Sequence, residues 1–415
     1  MKERVLILGS MDEFVELVKV AKKRGYYTIV CDGYENGPAK KEADGFYNID
    51  VRNVDEIVGV CEKERITGIM GSYSDVLFEQ ITHIANKAGL KWYVKPEKLK
   101  YYREKDKMKM VLSKLGIKTP KAKVIKKDFS KKDLEGVKFP IVAKPINGYG
   151  SKGIKIINSD KEIQHLFEQV VEYSTIKDKI IIEEYMNARE YNLMGFVADG
   201  EVFIIGIGDR EKNPIQGNSV PLLNRIVYPS KNMDEVYEKA KDVLKKFIDY
   251  TGQKWGPLCM QFFFDTELYV CEIAGRFLAY EHEMISYVSG LNYEELLLDY
   301  LFDEEKVKKT LIKHSPYFGR NVAGLYMLVE NGKRAKNQIC IDEIGKWKGV
   351  FEARKYYNNG EKVDLYKKSY FARFFIEADS RKKIDELSQK IFKKFSIIST
   401  ENKEIATRFY IEQKE

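Results

Sequence analysis

Lys144 closes the apolar run FPIVAK and is followed at once by PINGYGSKGI, which holds Gly148, Gly150 and Gly153. An ammonium at a strand end can reach a phosphate oxygen, and a loop short of side chains can present backbone N–H groups to anionic oxygens. An ordinary glycine turn between two strands has the same composition, and the GxxxxGK[ST] spacing of a P-loop is missing. Further along, IIIEEYMNARE ends an apolar strand in Glu183 and Glu184, continues with Tyr185 and Met186, and reaches Glu190. A strand that runs out into an extended segment leaves backbone donors and acceptors able to read a base edge, and a carboxylate can accept from two ribose hydroxyls. A polar strand end beside a surface charge would read the same way. The third stretch is MQFFFDTELYVCEIAGR. A two-residue turn at Thr266 and Glu267 sets Gln261 across from Glu272 on one face, whereas a three-residue loop puts them on opposite faces. Two oxygen ligands on a rigid hairpin suit Mg²⁺. Arg276, four positions after Glu272, can clamp a phosphate or carboxylate, or simply tie a strand carboxylate in place.

Regular elements must hold these groups. ERVLILGS, an apolar-periodic stretch through Phe14, Leu17, Val18 and Ala21, and YYTIVCD read as strand, helix, strand. GFYNID, VDEIVGVCEKE and ITGIMGS repeat the unit, so residues 1–95 are expected to form a parallel α/β sheet. The first turn, GSMDEF after Gly9, lacks the further glycines of a dinucleotide fingerprint, which argues against NAD. Met108, Val111, Leu112 and Leu115 mark a helix that stops at Gly116 with Pro120 beyond. Ser159 and Glu162 open a helix whose buried face is Ile163, Leu166, Phe167, Val170 and Val171. Asp199-Gly200 joins two strands as a tight hairpin. After residue 310, NVAGLYMLVENGK and YFARFFIEADSRKKIDELSQKIFKKF give strands and a closing helix.

The chain has 415 residues, 44% of them hydrophobic, enough for a large core. Lys+Arg 71 against Asp+Glu 63 leaves +8. The lysines are scattered among glutamates, which gives a mild pull on anions such as nucleotides and not a nucleic-acid face. Cys31, Cys61, Cys259, Cys271 and Cys340 form no CxxC and read as reduced core thiols. MKERVLILGS runs into a strand without an extended apolar leader, and no apolar span of roughly 18 residues follows. A cytoplasmic protein without membrane or nucleic-acid partners is expected. No Ser-His-Asp or Cys-His set stands out among His83, His165, His282 and His314.

In order and spacing, the three stretches together resemble the ATP-grasp superfamily, in its carbamoyl-phosphate-synthase-like and carboxylate-amine-ligase branches. The resemblance implies an α/β and α+β architecture: a pre-ATP-grasp domain at 1–95, an ATP-grasp module at 96–310 and a C-terminal α+β subdomain at 311–415. Within the module come a linker helix at 103–116, a glycine-rich hairpin subdomain at about 120–187 and a metal-hairpin subdomain at about 188–310. Carried over by residue, it implies that Lys107 and Lys144 touch ATP phosphates beneath a loop with Gly148, Tyr149, Gly150, Ser151 and Gly153. Glu183, Glu184, Tyr185 and Met186 would surround the adenine, and Glu190 would take the ribose. Gln261 and Glu272 would hold Mg²⁺, and Arg276 with Lys144 would serve catalysis. The family often shows E-x-N-x-R where this chain has Glu272-Ile273-Ala274-Gly275-Arg276. A second Mg²⁺ would therefore need water or another carboxylate such as Glu281.

The implied activity is ATP-dependent activation of a small-molecule carboxylate as acylphosphate for attack by an amine, releasing ADP and phosphate. A bicarbonate-using carboxylase or carbamoyl-phosphate-type synthase is the alternative, and a non-catalytic nucleotide-binding protein a further one. Asp209, Arg210 and Arg225, within 206–231, could line the cleft or belong to a solvated loop. His282 could border the substrate or be a structural helix residue. A homodimer is left open.

Overall fold

The run Arg4–Leu8 buries Val5, Leu6, Ile7 and Leu8 completely, the pattern of a strand covered on both faces. The computed structural model describes residues 2–407 and 409, apart from 72, 149, 213–220, 279, 366, 367 and 369. In it that run is β1 (Arg4–Leu8), parallel to β2 (Tyr27–Cys31) on one side and β4 (Gly68–Met70) on the other, with β3 (Gly45–Tyr47) outside β2. The parallel α/β sheet expected at the N-terminus is present. The strand order β3-β2-β1-β4 reverses direction at β1, which opens a crevice beyond the carboxyl ends of β1 and β4. Glu13, Tyr73 and Asp75 come just after those ends.

A second sheet is antiparallel: β5 (Ala122–Lys126), β6 (Ile141–Pro145), β7 (Lys155–Ile157) and β8 (Lys179–Glu184), in the order β5-β8-β6-β7. The helix Asp160–Val171 packs on it through the expected face of Ile163, Leu166, Phe167, Val170 and Val171. This layer keeps an apolar cluster of its own, separate from the cluster that joins the N-terminal sheet to much of the rest.

The third sheet contains β9 (Arg189–Ala198), β10 (Glu201–Lys212), β11 (Leu223–Tyr228), β12 (Trp255–Phe264), β13 (Leu268–Ala274), β14 (Asn321–Met327), β15 (Val350–Lys355) and β16 (Ala372–Ala378). Its order is β13-β12-β9-β10-β11-β14-β16-β15, all antiparallel. The β9–β10 hairpin turns on Asp199 and Gly200 at φ of 54° and 75°, the left-handed pair that this dipeptide favours. Strands from both sides of residue 310 share this sheet, although those after it rest on a third apolar cluster with the helix Arg381–Lys394.

Side chains alternate between the faces of a sheet, so cross-strand register decides which residues share one. Glu272 stands opposite Gln261, Gln261 opposite Asn192, Glu190 opposite Arg210 and Arg210 opposite Ile226. Farther across, Ile226 faces Gly324, Tyr326 faces Arg373, and Arg373 faces Arg354. These positions form one face from β13 to β15. The helix Glu281–Ser289 covers it: Asn192 Nδ2 donates to Glu281 Oε1 at 2.7 Å, and Arg373 Nη2 donates to Glu283 Oε2 at 2.8 Å. No helix among the described residues is long and apolar enough to cross a membrane.

The N-terminal layer meets the third sheet at Gly275. A Cβ there would come within 2.7 Å of the Phe78 ring, itself fully buried against Tyr93 and Tyr102. Tyr93 Oη donates to the Gly275 carbonyl at 2.6 Å, which fixes the approach. Gly275→Ala is expected to lower stability by roughly 1–3 kcal/mol through this overpacking. An unchanged urea midpoint would contradict the close contact.

Candidate active site

The sequence-distant groups meet at the edge where the three sheets approach one another. Lys144 and Pro145 from β6, Gly148, Gly150, Ser151 and Lys152 from the following loop, Gln261 from β12, and Glu272 and Ala274 from β13 line one cavity. Asp75, Arg103, Lys105 and Met108 close it from the N-terminal side. Its volume is about 70 Å³. Ligand pockets are typically ~300–1,000 Å³, so the enclosed space is smaller than one.

Lys144 sits in β6 because its strand is flanked by β8, which carries Glu183. Its Nζ donates to Glu183 Oε2 at 2.7 Å, and Lys109 Nζ lies 3.2 Å from the other oxygen, Oε1. Burial opposes the charge on Lys144, but Cys271 and Glu183 outweigh it and raise its pKa. Burial likewise pushes Glu183 up, and the two lysines more than offset it, so the carboxylate stays below its usual range. Glu183 is therefore a counter-ion beneath the cleft, 2% exposed. Glu184 Oε1 accepts from Lys121 N at 2.9 Å, and Tyr185 N donates to the Pro140 carbonyl at 3.3 Å. Residues 185–188, with Met186 half-buried, bridge from the second sheet to the third.

The loop over the cavity has a fixed end. Asn147 Oδ1 accepts from Ser174 Oγ at 2.6 Å and from Thr175 N at 3.1 Å. Gly153 has φ of 73°, and a Cβ there would strike the Val170 carbonyl at 2.6 Å, so the loop's return needs glycine. Tyr149 lies outside the described residues.

The β12–β13 hairpin reaches the expected pairing by another route. Phe264 pairs with Leu268, which makes the loop three residues long, yet a bulge at Cys271 restores Gln261 opposite Glu272. Two oxygen-bearing side chains then face one cavity, a donor set that suits Mg²⁺ completed by phosphate and water oxygens. Among the described residues no three His, Cys, Asp or Glu side chains gather as a protein-only metal cage. Gln261 Nε2 donates to Glu190 Oε1, and Arg210 and Lys212 pair with the same carboxylate. Burial raises the Glu190 pKa, but Arg210 and Lys212 reverse the shift and hold it ionised.

Arg276 turns its fork to Asp75, Nε to Oδ1 at 2.8 Å and Nη2 to Oδ2 at 2.9 Å. Burial pushes the Asp75 carboxyl up, but Arg276, then Arg103 and Lys105, bring it down to about 2. The pair joins the crevice of the N-terminal sheet to the end of the β12–β13 hairpin. Asp75 is a cavity residue that sequence reading missed, since no period links it to a residue 201 positions away.

Other sequence expectations fall differently. In the helix Lys105–Lys114, Lys105 lines the cavity and Lys107 does not. Lys105 lies three positions before Met108 and seven before Leu112, on the buried stripe, which is the signal that could have singled it out. Burial lowers its pKa, with the nearby Glu272 opposing. Asp209 and Arg225 do not face the cleft. They sit on the opposite face of the sheet from Arg210, because alternate residues of a strand point to opposite sides. There Asp209 accepts from Ser230 and Arg381, and the fully buried Arg225 binds Glu211 and Asp385, each at 2.7 Å. Both anchor the helix Arg381–Lys394. His282 is buried, its Nε2 3.2 Å from Glu294 and its ring stacked on Tyr73, the structural option of the two. Residues 213–220, within the stretch expected to line the cleft, lie outside the described residues.

Glu281, considered above as a replacement ligand, is held elsewhere: Asn192 and Tyr228 both donate to it. Burial raises its pKa to about 7, against the pull of those two hydrogen bonds and of Arg210 and Arg276.

Comparison with known proteins places these features in context. Residues 137–282 match the family model described as "ATP-grasp domain", and residues 5–89 the one described as "PylC-like, N-terminal domain". A formate-dependent phosphoribosylglycinamide formyltransferase of Methanocaldococcus jannaschii is 27% identical over 255 residues, covering 60% of this chain and 63% of that protein. A carbamoyl phosphate synthase large chain of Clostridium beijerinckii is 26% identical over 296 residues, covering 68% of this chain and 26% of that one. The chain thus spans less than two thirds of the length of these relatives. Among solved structures, an L-amino acid ligase from Bacillus licheniformis superposes with a TM-score of 0.80 at 16% identity, covering 96% of this chain and 98% of the other.

The buried carboxyl of Glu281 sets a pH test. The folded protein keeps this proton up to about 7, while the unfolded chain releases it near 4.5. Between those values the folded state binds more protons, so this group's contribution to stability falls as pH rises and is level above the folded value. Glu281→Gln is expected to remove that slope. Urea midpoints of the two proteins that run parallel from pH 4 to 8 would contradict the assignment.

Proposed function

We propose that this chain, an ATP-grasp protein by the domain it carries at residues 137–282, is an ATP- and Mg²⁺-dependent ligase that joins a small-molecule carboxylate to an amine. The observation that carries this reading is that Gln261 and Glu272 face the same cavity as Lys144, Lys105 and the glycine-rich loop. In the reaction, a carboxylate oxygen attacks the γ-phosphorus of ATP and ADP leaves. The amine nitrogen then attacks the acyl carbon, phosphate leaves, and the nitrogen gives up a proton. Phosphoryl transfer depends mainly on positioning and on charge neutralisation, and the cavity offers cations and backbone donors for both.

Lys144, oriented by Glu183, meets phosphate oxygens from below, and Lys105 approaches from the opposite wall. Gly148, Gly150, Ser151 and Gly153 fold over the phosphates. Glu184, Tyr185 and Met186 offer backbone groups to the adenine, and Glu190 a carboxylate to the ribose. Gln261 and Glu272 would hold Mg²⁺, which neutralises phosphate charge when bound. Arg276, braced by Asp75, sets positive charge at the rear of the cleft. The absence of a ligand at Ala274 supports one protein-held Mg²⁺ site.

The test is ADP release by the purified chain with Mg²⁺ over a panel of carboxylates, amines and bicarbonate. Carboxylate- and amine-dependent release is expected, falling by roughly a hundredfold or more in Glu272→Ala, the scale of losing a principal electrostatic group. Lys144→Ala is expected to weaken ATP binding. Absence of ATP binding in calorimetry with Mg²⁺ would remove the reading. Release driven by bicarbonate alone would replace it with a carboxylase, and tight ATP binding without turnover on the panel with a nucleotide-binding role.

A further inference from the structure

Arg373 is fully buried, on β16, and is not among the residues that line the phosphate cavity. Its Nη2 donates to Glu283 at 2.8 Å and to Glu352, but its Nε and Nη1 have no acceptor among the described residues. Its faces are covered, by the Tyr280 ring at 4.5 Å and the Phe375 ring at 4.1 Å. Nη2, common to both bidentate edges, is held by the two glutamates, so Nε and Nη1 are each left to one further acceptor oxygen. Arg354 stands directly opposite on β15, a like-charge pairing that strand neighbours normally avoid. Its Nε pairs with Glu352 at 3.2 Å, while its Nη1 and the hydroxyl of Tyr356, two residues on, are also buried without an acceptor among the described residues. Four donor atoms are thus withdrawn from water together, a costly arrangement unless something accepts from them.

The location ties this cluster to the reaction cleft. Arg373 and Arg354 share the sheet face of Gln261 and Glu272. Tyr280, which Arg373 covers, directly precedes Glu281, where the covering helix begins. From the N-terminal crevice, Glu13 comes within electrostatic reach of Tyr280 and Glu283. Glu283 therefore stands as an acceptor beside the donors.

We propose that Arg373, with Arg354 and Tyr356, seats a carboxylate group that does not react, so that one substrate is an amino acid whose ammonium is met by Glu13 and Glu283. A phosphate dianion fits worse, because Glu283 and Glu352 already flank the arginine. The proposal rests on the ligase reading for its chemistry but not for binding. The two are separated by titrating the full chain, with Mg²⁺ and ADP, against amino acids and the matched amino-acid amides, and by measuring ADP release with the same compounds.

At least one amino acid is expected to bind about tenfold or more tighter than its amide, as the loss of a charged partner from buried donors implies. Arg373→Lys is expected to erase the difference while ADP affinity stays unchanged. Arg354→Gln and Tyr356→Phe, at partly exposed positions, are expected to reduce it even if the buried substitution fails to fold. Discriminating binding without ADP release with any substrate would keep the seat and remove the ligase. Equal binding of acids and amides, tighter binding of phosphorylated compounds, or efficient turnover of plain amines with monocarboxylates would overturn the seat and leave the ligase standing.

Discussion

The cross-strand register of the eight-stranded sheet is the constraint on which the site depends. Side chains alternate strictly along a strand, so a slip of one residue would turn the polar set away from the cleft. Its face holds Glu272, Gln261, Glu190, Arg210 and, three strands beyond β10, Arg373. The reverse face holds Asp209, Glu211 and Arg225, and spends them on docking the helix Arg381–Lys394. One sheet thus separates anchoring charges from cleft charges by parity alone. The bulge at Cys271 corrects the parity where the three-residue loop would otherwise spoil it.

Within the cleft, burial is made tolerable by pairing. Lys144 and Lys109 share Glu183, Arg276 is forked to Asp75, and Glu190 is surrounded by Arg210, Lys212 and Gln261. Removing one partner from such a set leaves an uncompensated charge in a low-dielectric interior, which is why these contacts hold orientation so firmly. Preset orientation would serve the proposed phosphoryl transfer, which asks little covalent chemistry of the protein. The second sheet has its own apolar cluster, and the loop over the cavity is tethered at Asn147.

Much of this could be read along the chain. The parallel N-terminal sheet followed from fully apolar strands between periodic helices, and the Asp199-Gly200 turn from a dipeptide that accepts left-handed backbone. The pairing of Gln261 with Glu272 was anticipated, but through a two-residue turn, whereas the chain uses a longer loop and a compensating bulge. Asp209 and Arg225 looked available because they lie beside Arg210 in a polar stretch. Strand parity, unseen until β10 and β11 were placed, sends them to the other face. Lys105 could have been separated from Lys107 by helical phase, since Met108 and Leu112 already marked the buried stripe.

What the sequence alone determined was local: strand and helix periods, turn chemistry, and the kinds of donor and acceptor at each strand end. These depend on residues a few positions apart, where backbone geometry fixes direction. Tertiary structure alone decided that Asp75 would fork to Arg276 and that the crevice of the first sheet would face the hairpin of the third. It also decided that Arg373 and Arg354 would stand opposite each other on the cleft face. Those partners are brought together by sheet order and by packing between layers. Neither leaves a period in the chain, because contacts between distant segments are set by the whole register and not by any one stretch.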